Sequence, residues 1–87
     1  MSSKRCEHFP ATTIAAPARR ACLQCEREGL HWVHLRQCLL CGQVGCCDSS
    51  PGRHATRHFQ ASGHAVIRSI EPGENWTWCY SHEQMFE

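Results

Sequence analysis

Eight cysteines and seven histidines in a chain of 87 residues constrain its folding more than any other feature. At this length the apolar surface withdrawn from water scarcely exceeds the conformational entropy lost on ordering the chain. A second source of stability is therefore required. Disulfides could supply it, but residues 1–18 offer Lys4 and Arg5 without the apolar run of a secretory signal, so a reducing, cytoplasmic setting is the default expectation. Histidine also has no part in a disulfide framework, whereas thiolate and neutral imidazole are the ordinary ligands of structural zinc. Bound zinc is the expected brace.

Charge and hydropathy remove two partner classes. No stretch approaches the ~20 apolar residues that span a bilayer. The formal net charge is +1, with the basic residues scattered as Lys4/Arg5, Arg19/Arg20, Arg53, Arg57 and Arg68, so a footprint for nucleic acid is missing. Neither a membrane nor a nucleic acid is expected as partner.

Residues 1–20 read as an extended arm, because Pro10, Pro17 and the alanines between them discourage regular structure. Only Cys6 and His8 look anchored there. Residues 21–87 then form the body of a single domain. Leu30–Gln37 is rich in aromatic and β-branched types and reads as a strand, Ala65–Ile70 as a second and Asn75–Tyr80 as a third. Ser50 as N-cap, Pro51 in the first helical position and Gly63 as a stop mark one main helix over about 51–61. Gly42 and Gly45 give the backbone freedom near the Cys38/Cys41 turn. Along the third strand Trp76, Trp78 and Tyr80 share one face, and Thr77 and Cys79 the other. Trp76 is expected in the core.

Three pairs have zinc-knuckle spacing: Cys22-x2-Cys25, Cys38-x2-Cys41 and Cys79-x2-His82. Two intervening residues let both side chains reach one ion at ~2.0–2.3 Å. Cys6-x-His8 is shorter but able to do the same, and Cys46, His54, His58 and His64 supply four more candidates. These twelve permit three closed four-ligand sites. Cys47, His31 and His34 fall outside the set.

The run Cys22-x2-Cys25, Cys38-x2-Cys41-x4-Cys46, His54-x3-His58, Ser62-Gly63-His64 and Trp78-Cys79-Tyr80 resembles the UBP-type zinc finger, the ubiquitin-binding finger of some deubiquitinases and of one histone deacetylase. That resemblance implies an α+β domain, a twisted antiparallel sheet with a flanking helix, held by interleaved zinc sites. It implies one ion on Cys22, Cys25, Cys46 and His54, a second on Cys38, Cys41, His58 and His64, and a third on Cys6, His8, Cys79 and His82, where relatives often have cysteine at the position of His82. It also implies a pocket for the C-terminal diglycine of ubiquitin. The arginine that holds the terminal carboxylate in such relatives is Asp48 here. The aromatic wall persists as Trp78 and Tyr80, and a further aromatic position is occupied by Arg36.

A carboxylate opposite Asp48 would be repelled. The expected function is thus a monomeric, non-catalytic zinc module with an aromatic groove for a peptide or protein terminus, lined by Trp78, Tyr80, Asp48 and Arg36, with ubiquitin a doubtful occupant. The competing reading is a redox- or metal-responsive thiolate element, in which Cys47 beside Cys46 offers a spare thiol. A catalytic zinc site would keep an open position, whereas these ligands tile into fours.

Overall fold

The computed structural model describes residues 8–10, 14–17 and 19–86. Among these residues five short strands form one antiparallel sheet flanked by two helices. In chain order the elements are α1 (Leu23–Glu28), β1 (Leu35–Cys38), β2 (Val44–Cys46), α2 (His54–Ser62), β3 (Val66–Ser69), β4 (Thr77–Cys79) and β5 (Gln84–Phe86). The sheet runs β2-β1-β3-β4-β5. This is a small α+β domain, with the sheet and the main helix expected from the sequence.

Register decides which residues meet. Leu35 pairs with Cys46 and Arg36 with Gly45; Cys38 pairs with Ile67 and Gln37 with Arg68; Ile67 pairs with Trp78 and Val66 with Cys79; Trp78 pairs with Met85. Directly opposed residues project to the same side. Arg36, Ile67, Trp78 and Met85 therefore share one face, and Gln37, Arg68, Val66 and Cys79 the other.

The core is thin. Cys22, Cys25 and Cys46 cluster with Leu35, while Cys79 clusters with Ala65 and Val66. Half of the buried apolar residues described are cysteines, and Leu35, Val66 and Ile67 are the only large aliphatic ones. Three such side chains contribute roughly 1.5–3 kcal/mol each, against about 1–2 kcal/mol of backbone entropy for every residue ordered. The sulfur clusters occupy the place a hydrophobic core would take.

Several sequence expectations need correction. The main helix begins at His54, not near Pro51, and its N-cap is Arg53 at φ 48 with no side-chain cap. Ser50 is spent elsewhere: buried, it accepts a hydrogen bond from the Val33 N–H at 2.8 Å. Gly63 does end the helix, at φ 80, with its N–H on the Phe59 carbonyl. The first strand starts at Leu35 rather than Leu30, and α1, β2 and β5 were not foreseen. Gly42 sits at φ 85, but Gly45 serves for space: a Cβ there would lie 2.6 Å from the Ala55 backbone nitrogen. Trp76 is half-buried at the sheet surface.

Gln37 carries an unforeseen polar core. Only 1 % exposed, it donates from Nε2 to the Ala15 and Gly42 carbonyls at 3.0 and 3.3 Å and accepts from Arg68 Nε at 2.8 Å. Arg68 also donates to the Ile14 carbonyl at 3.2 Å. All of Gln37's polar atoms are satisfied, which offsets its desolvation. These bonds strap residues 14 and 15 across the sheet, an anchorage of the arm that the sequence did not signal.

Candidate metal centres and an aromatic groove

The fold gathers the sequence-identified ligand types into three groups. Cys22 opens α1 and Cys25 lies in its first turn, Cys46 ends β2, and His54 is the first residue of α2. His54 Nδ1 lies 3.2 Å from Cys22 Sγ and 3.4 Å from both Cys25 and Cys46 Sγ, and the Cys25 and Cys46 sulfurs are 3.6 Å apart. A tetrahedral ion with Zn–S ~2.3 Å and Zn–N ~2.0 Å requires ligand separations of about 3.5–3.8 Å. The match is within a few tenths of an ångström. All four residues are buried.

Two further contacts shape this group. The His54 N–H donates to Cys46 Sγ at 3.2 Å, so the start of α2 points at a thiolate, as suits a helix N-terminus. On the far side of the ring, Nε2 meets Glu28 Oε1 at 3.1 Å. A carboxylate there holds the proton on Nε2 and leaves Nδ1 to the metal. Glu28 carried no sequence signal, since it is the fold that brings the last residue of α1 to the ring at the start of α2.

In the second group Cys38 Sγ lies 3.6 Å from His64 Nδ1, Cys41 Sγ 3.3 Å from His58 Nε2, and the two ring nitrogens are 3.3 Å apart. The Leu40 N–H donates to Cys38 Sγ at 3.4 Å, closing the knuckle. Here only Cys38 is buried; Cys41 is exposed and both histidines are intermediate. In the third group His8 and His82 place Nδ1 at 3.4 Å from Cys79 Sγ. Cys6, its expected fourth member, lies outside the described residues. Cys47, His31 and His34 join none of these groups among the described residues.

Metal-free electrostatics are uncomfortable. Burial, followed by hydrogen bonds and charge from Cys22 and Cys46, pushes the Cys25 thiol up to about 12. Burial also raises Cys38, and burial together with His64 lowers His58. Each shift disfavours the charged form where no cation is present, and a bound dication reverses that balance by deprotonating its thiols. The donor sets fit zinc.

Beside the centres, between α2 and the sheet, runs a groove of about 500 Å³. Ile67, Trp78 and Met85 come from the sheet face, Thr56, Phe59 and Gln60 from α2, and Asp48 from the loop before it. Phe59 stacks on Tyr80 at 4.7 Å with planes 6° apart, and Trp78 meets Tyr80 edge to face at 6.5 Å. Arg36 lies 4.5 Å over the Trp76 ring and 3.6 Å from Glu74. Burial above all raises the Tyr80 hydroxyl, which stays protonated. Cys47 lines the same space; burial raises its thiol, but hydrogen bonds from Ser50 and from backbone groups of His34 and Ser49 outweigh it and bring it down to about 7. The groove brings together Trp78, Tyr80, Asp48 and Arg36. Its α2 wall and Glu83 were not read from sequence, because a surface formed between two elements has no local pattern.

Residues 22–87 match the family model described as the Zn-finger in ubiquitin-hydrolases and other protein. The chain belongs to this zinc-finger family. Zinc binding thus follows from both the family and the clustered donors of this zinc finger. The solution NMR structure of a protein from Rhodopseudomonas palustris is similar to it, with 46% identity and a TM-score of 0.85, over 99% of this chain and 84% of the other. No curated protein matches the zinc finger. No helix among the described residues is long and apolar enough to cross a membrane.

Proposed function

We propose that this zinc finger is a non-catalytic interaction module of the cytoplasm, braced by three zinc ions, whose groove accepts a segment or terminus of a protein partner. Cys22, Cys25, Cys46 and His54 hold one ion, Cys38, Cys41, His58 and His64 a second, and Cys6, His8, Cys79 and His82 a third. Four protein ligands per ion leave no open position for a substrate or an activated water. The observation that carries the binding assignment is the half-exposed pair Trp78 and Tyr80 standing over a cavity beside the clustered cysteine and histidine ligands. Aromatic walls of this kind supply contact area at low entropic cost. Ubiquitin is a poor occupant on the family resemblance, because the position at which relatives carry the arginine for its terminal carboxylate is Asp48, which lines this groove.

Titrating the zinc-loaded chain with peptides while following the indole and ring resonances of Trp78 and Tyr80 tests the assignment. Saturable shifts confined to the groove support it; shifts elsewhere, or none, remove it.

One observation favours a second reading, a redox-responsive element. Cys47 is a free thiol that lines the groove and follows directly on Cys46 of the buried cluster, and oxidation of such a thiol is the step a redox response needs. If Cys47 senses oxidant, mild peroxide releases zinc reversibly and Cys47→Ser stops it; release that ignores the substitution sinks this reading.

A further inference from the structure

We propose that the groove is built for a lysine side chain of a peptide partner, with Trp78 and Tyr80 against its methylenes and Asp48 and Glu83 facing its ammonium group. This rests on the groove being the peptide-binding face and adds the chemistry of the occupant.

The charged and titratable groups that line the groove are His34, Arg36, Cys47, Asp48, Tyr80 and Glu83. Arg36 is the one fixed cation, and it is already engaged. Its guanidinium covers Trp76 at 4.5 Å, donates to the Leu35 carbonyl at 3.1 Å and pairs with Glu74 at 3.6 Å. Glu74 lies outside the groove lining, so the positive charge of Arg36 is balanced without drawing on the groove's own acids.

Those acids remain available. Asp48 spends Oδ1 on the Thr56 hydroxyl at 2.5 Å and on Arg53 at 3.7 Å, and its second oxygen has no partner among the described residues. The Arg53 contact is loose, both side chains being more than half exposed, and such pairs hold weakly. Thr56 also lies 3.3 Å from the Tyr80 hydroxyl, which fixes Asp48 beside the aromatic wall. Glu83 reaches the groove from the β4–β5 turn, where its φ is 51. It has no ion-pair partner among the described residues.

Around these acids stand ring planes set at right angles, 88° between Trp78 and Tyr80. Ring faces attract cations, and Arg36 over Trp76 shows one aromatic of this groove doing so within the protein itself. An anionic terminus would meet two carboxylates and no free cation. A primary amine meets the reverse arrangement, with apolar surface at Ile67 and Met85 for its methylenes.

The test uses the zinc-loaded full chain and short Gly/Ser peptides of one length. One is blocked at both ends and carries a central lysine, a second has a free N-terminal amine, a third carries norleucine in place of lysine, and a fourth has a free C-terminal carboxylate. Binding is read from Trp78 and Tyr80 resonances. The expected result is that the lysine peptide binds roughly three- to tenfold more tightly than the norleucine peptide. That preference should shrink in high salt and in Asp48→Asn or Glu83→Gln, whose zinc content stays unchanged. Tighter binding of the free N-terminal amine than of the lysine would overturn the side-chain assignment in favour of a terminus. If the norleucine or carboxylate peptide binds the groove as tightly as either amine, the cation assignment is overturned while the groove stands. If no peptide moves Trp78 or Tyr80, both fall.

Discussion

The Cys22/Cys25/Cys46/His54 and Cys38/Cys41/His58/His64 clusters share a donor count and one helix, α2, yet they stand in different surroundings. In the first every member is buried, the histidine ring is held from behind by Glu28, and the β2 sulfur receives the helix N–H. In the second one cysteine is exposed and two histidines are half-covered. Because the two sets interleave along the chain, the loop that closes each set contains two ligands of the other. The difference teaches that the clusters divide the labour: the buried one replaces the core, and the exposed one ties the turn after β1 to α2 and to the entry of β3.

Breaking that comparison should have its largest effect at Cys25. Removing a ligand from a closed, buried site forfeits metal binding that is also folding free energy. Cys25→Ser is expected to consume most of the ~5–15 kcal/mol that holds a domain of this kind together, leaving the chain largely unfolded at room temperature by far-UV circular dichroism. Cys41→Ser should keep a cooperative melt with one zinc fewer. Equal damage from both would erase the distinction.

Gly45→Ala comes next. The added methyl would strike the backbone of Ala55, pushing α2 from β2 and spreading the Cys46/His54 geometry. A loss of about 2–3 kcal/mol is expected in denaturant unfolding. Zinc affinity should fall at the buried centre before the exposed one.

A smaller effect belongs to Glu28→Gln. The amide still accepts a hydrogen bond from Nε2 but has lost the charge that raises ligand basicity, so zinc should bind the buried centre about tenfold more weakly, without change of fold. Competition with a chromophoric chelator reads this directly, and an unchanged affinity would leave Glu28 with a packing role only.

The remaining effect is one of pH. Without metal, burial raises the Cys25 thiol from 9.0 to about 12, so zinc must displace its proton at every pH below that value. The zinc affinity of the buried centre should therefore fall as pH drops from about 9 toward 6, and more zinc should be needed to reach the folded signal. Zinc titrations followed by circular dichroism across this window read the effect, and an affinity independent of pH would contradict it.

What could be read from the sequence follows the same division. The ligand positions stood out because short cysteine and histidine spacings are local, and those among the described residues lie together in space. The helix start was misplaced because Ser50 and Pro51 match a capping pattern while Ser50 is drawn to Val33 by tertiary contact. Three-residue strands such as Val44–Cys46 and Gln84–Phe86 are too short to show alternation. α1 was hidden because its six residues, Leu23–Glu28, read first as part of a metal knuckle. Glu28, Gln37 and the α2 wall of the groove depend on pairs of elements meeting, and no window of sequence contains them.

The central claim is that zinc, and not apolar packing, holds this domain together. Native mass spectrometry of the purified chain, with circular dichroism before and after a strong chelator, tests it most directly. The account predicts three zinc ions per chain and collapse of the folded signal once all are removed, the exposed centre emptying first. A metal-free chain that keeps its fold would contradict it.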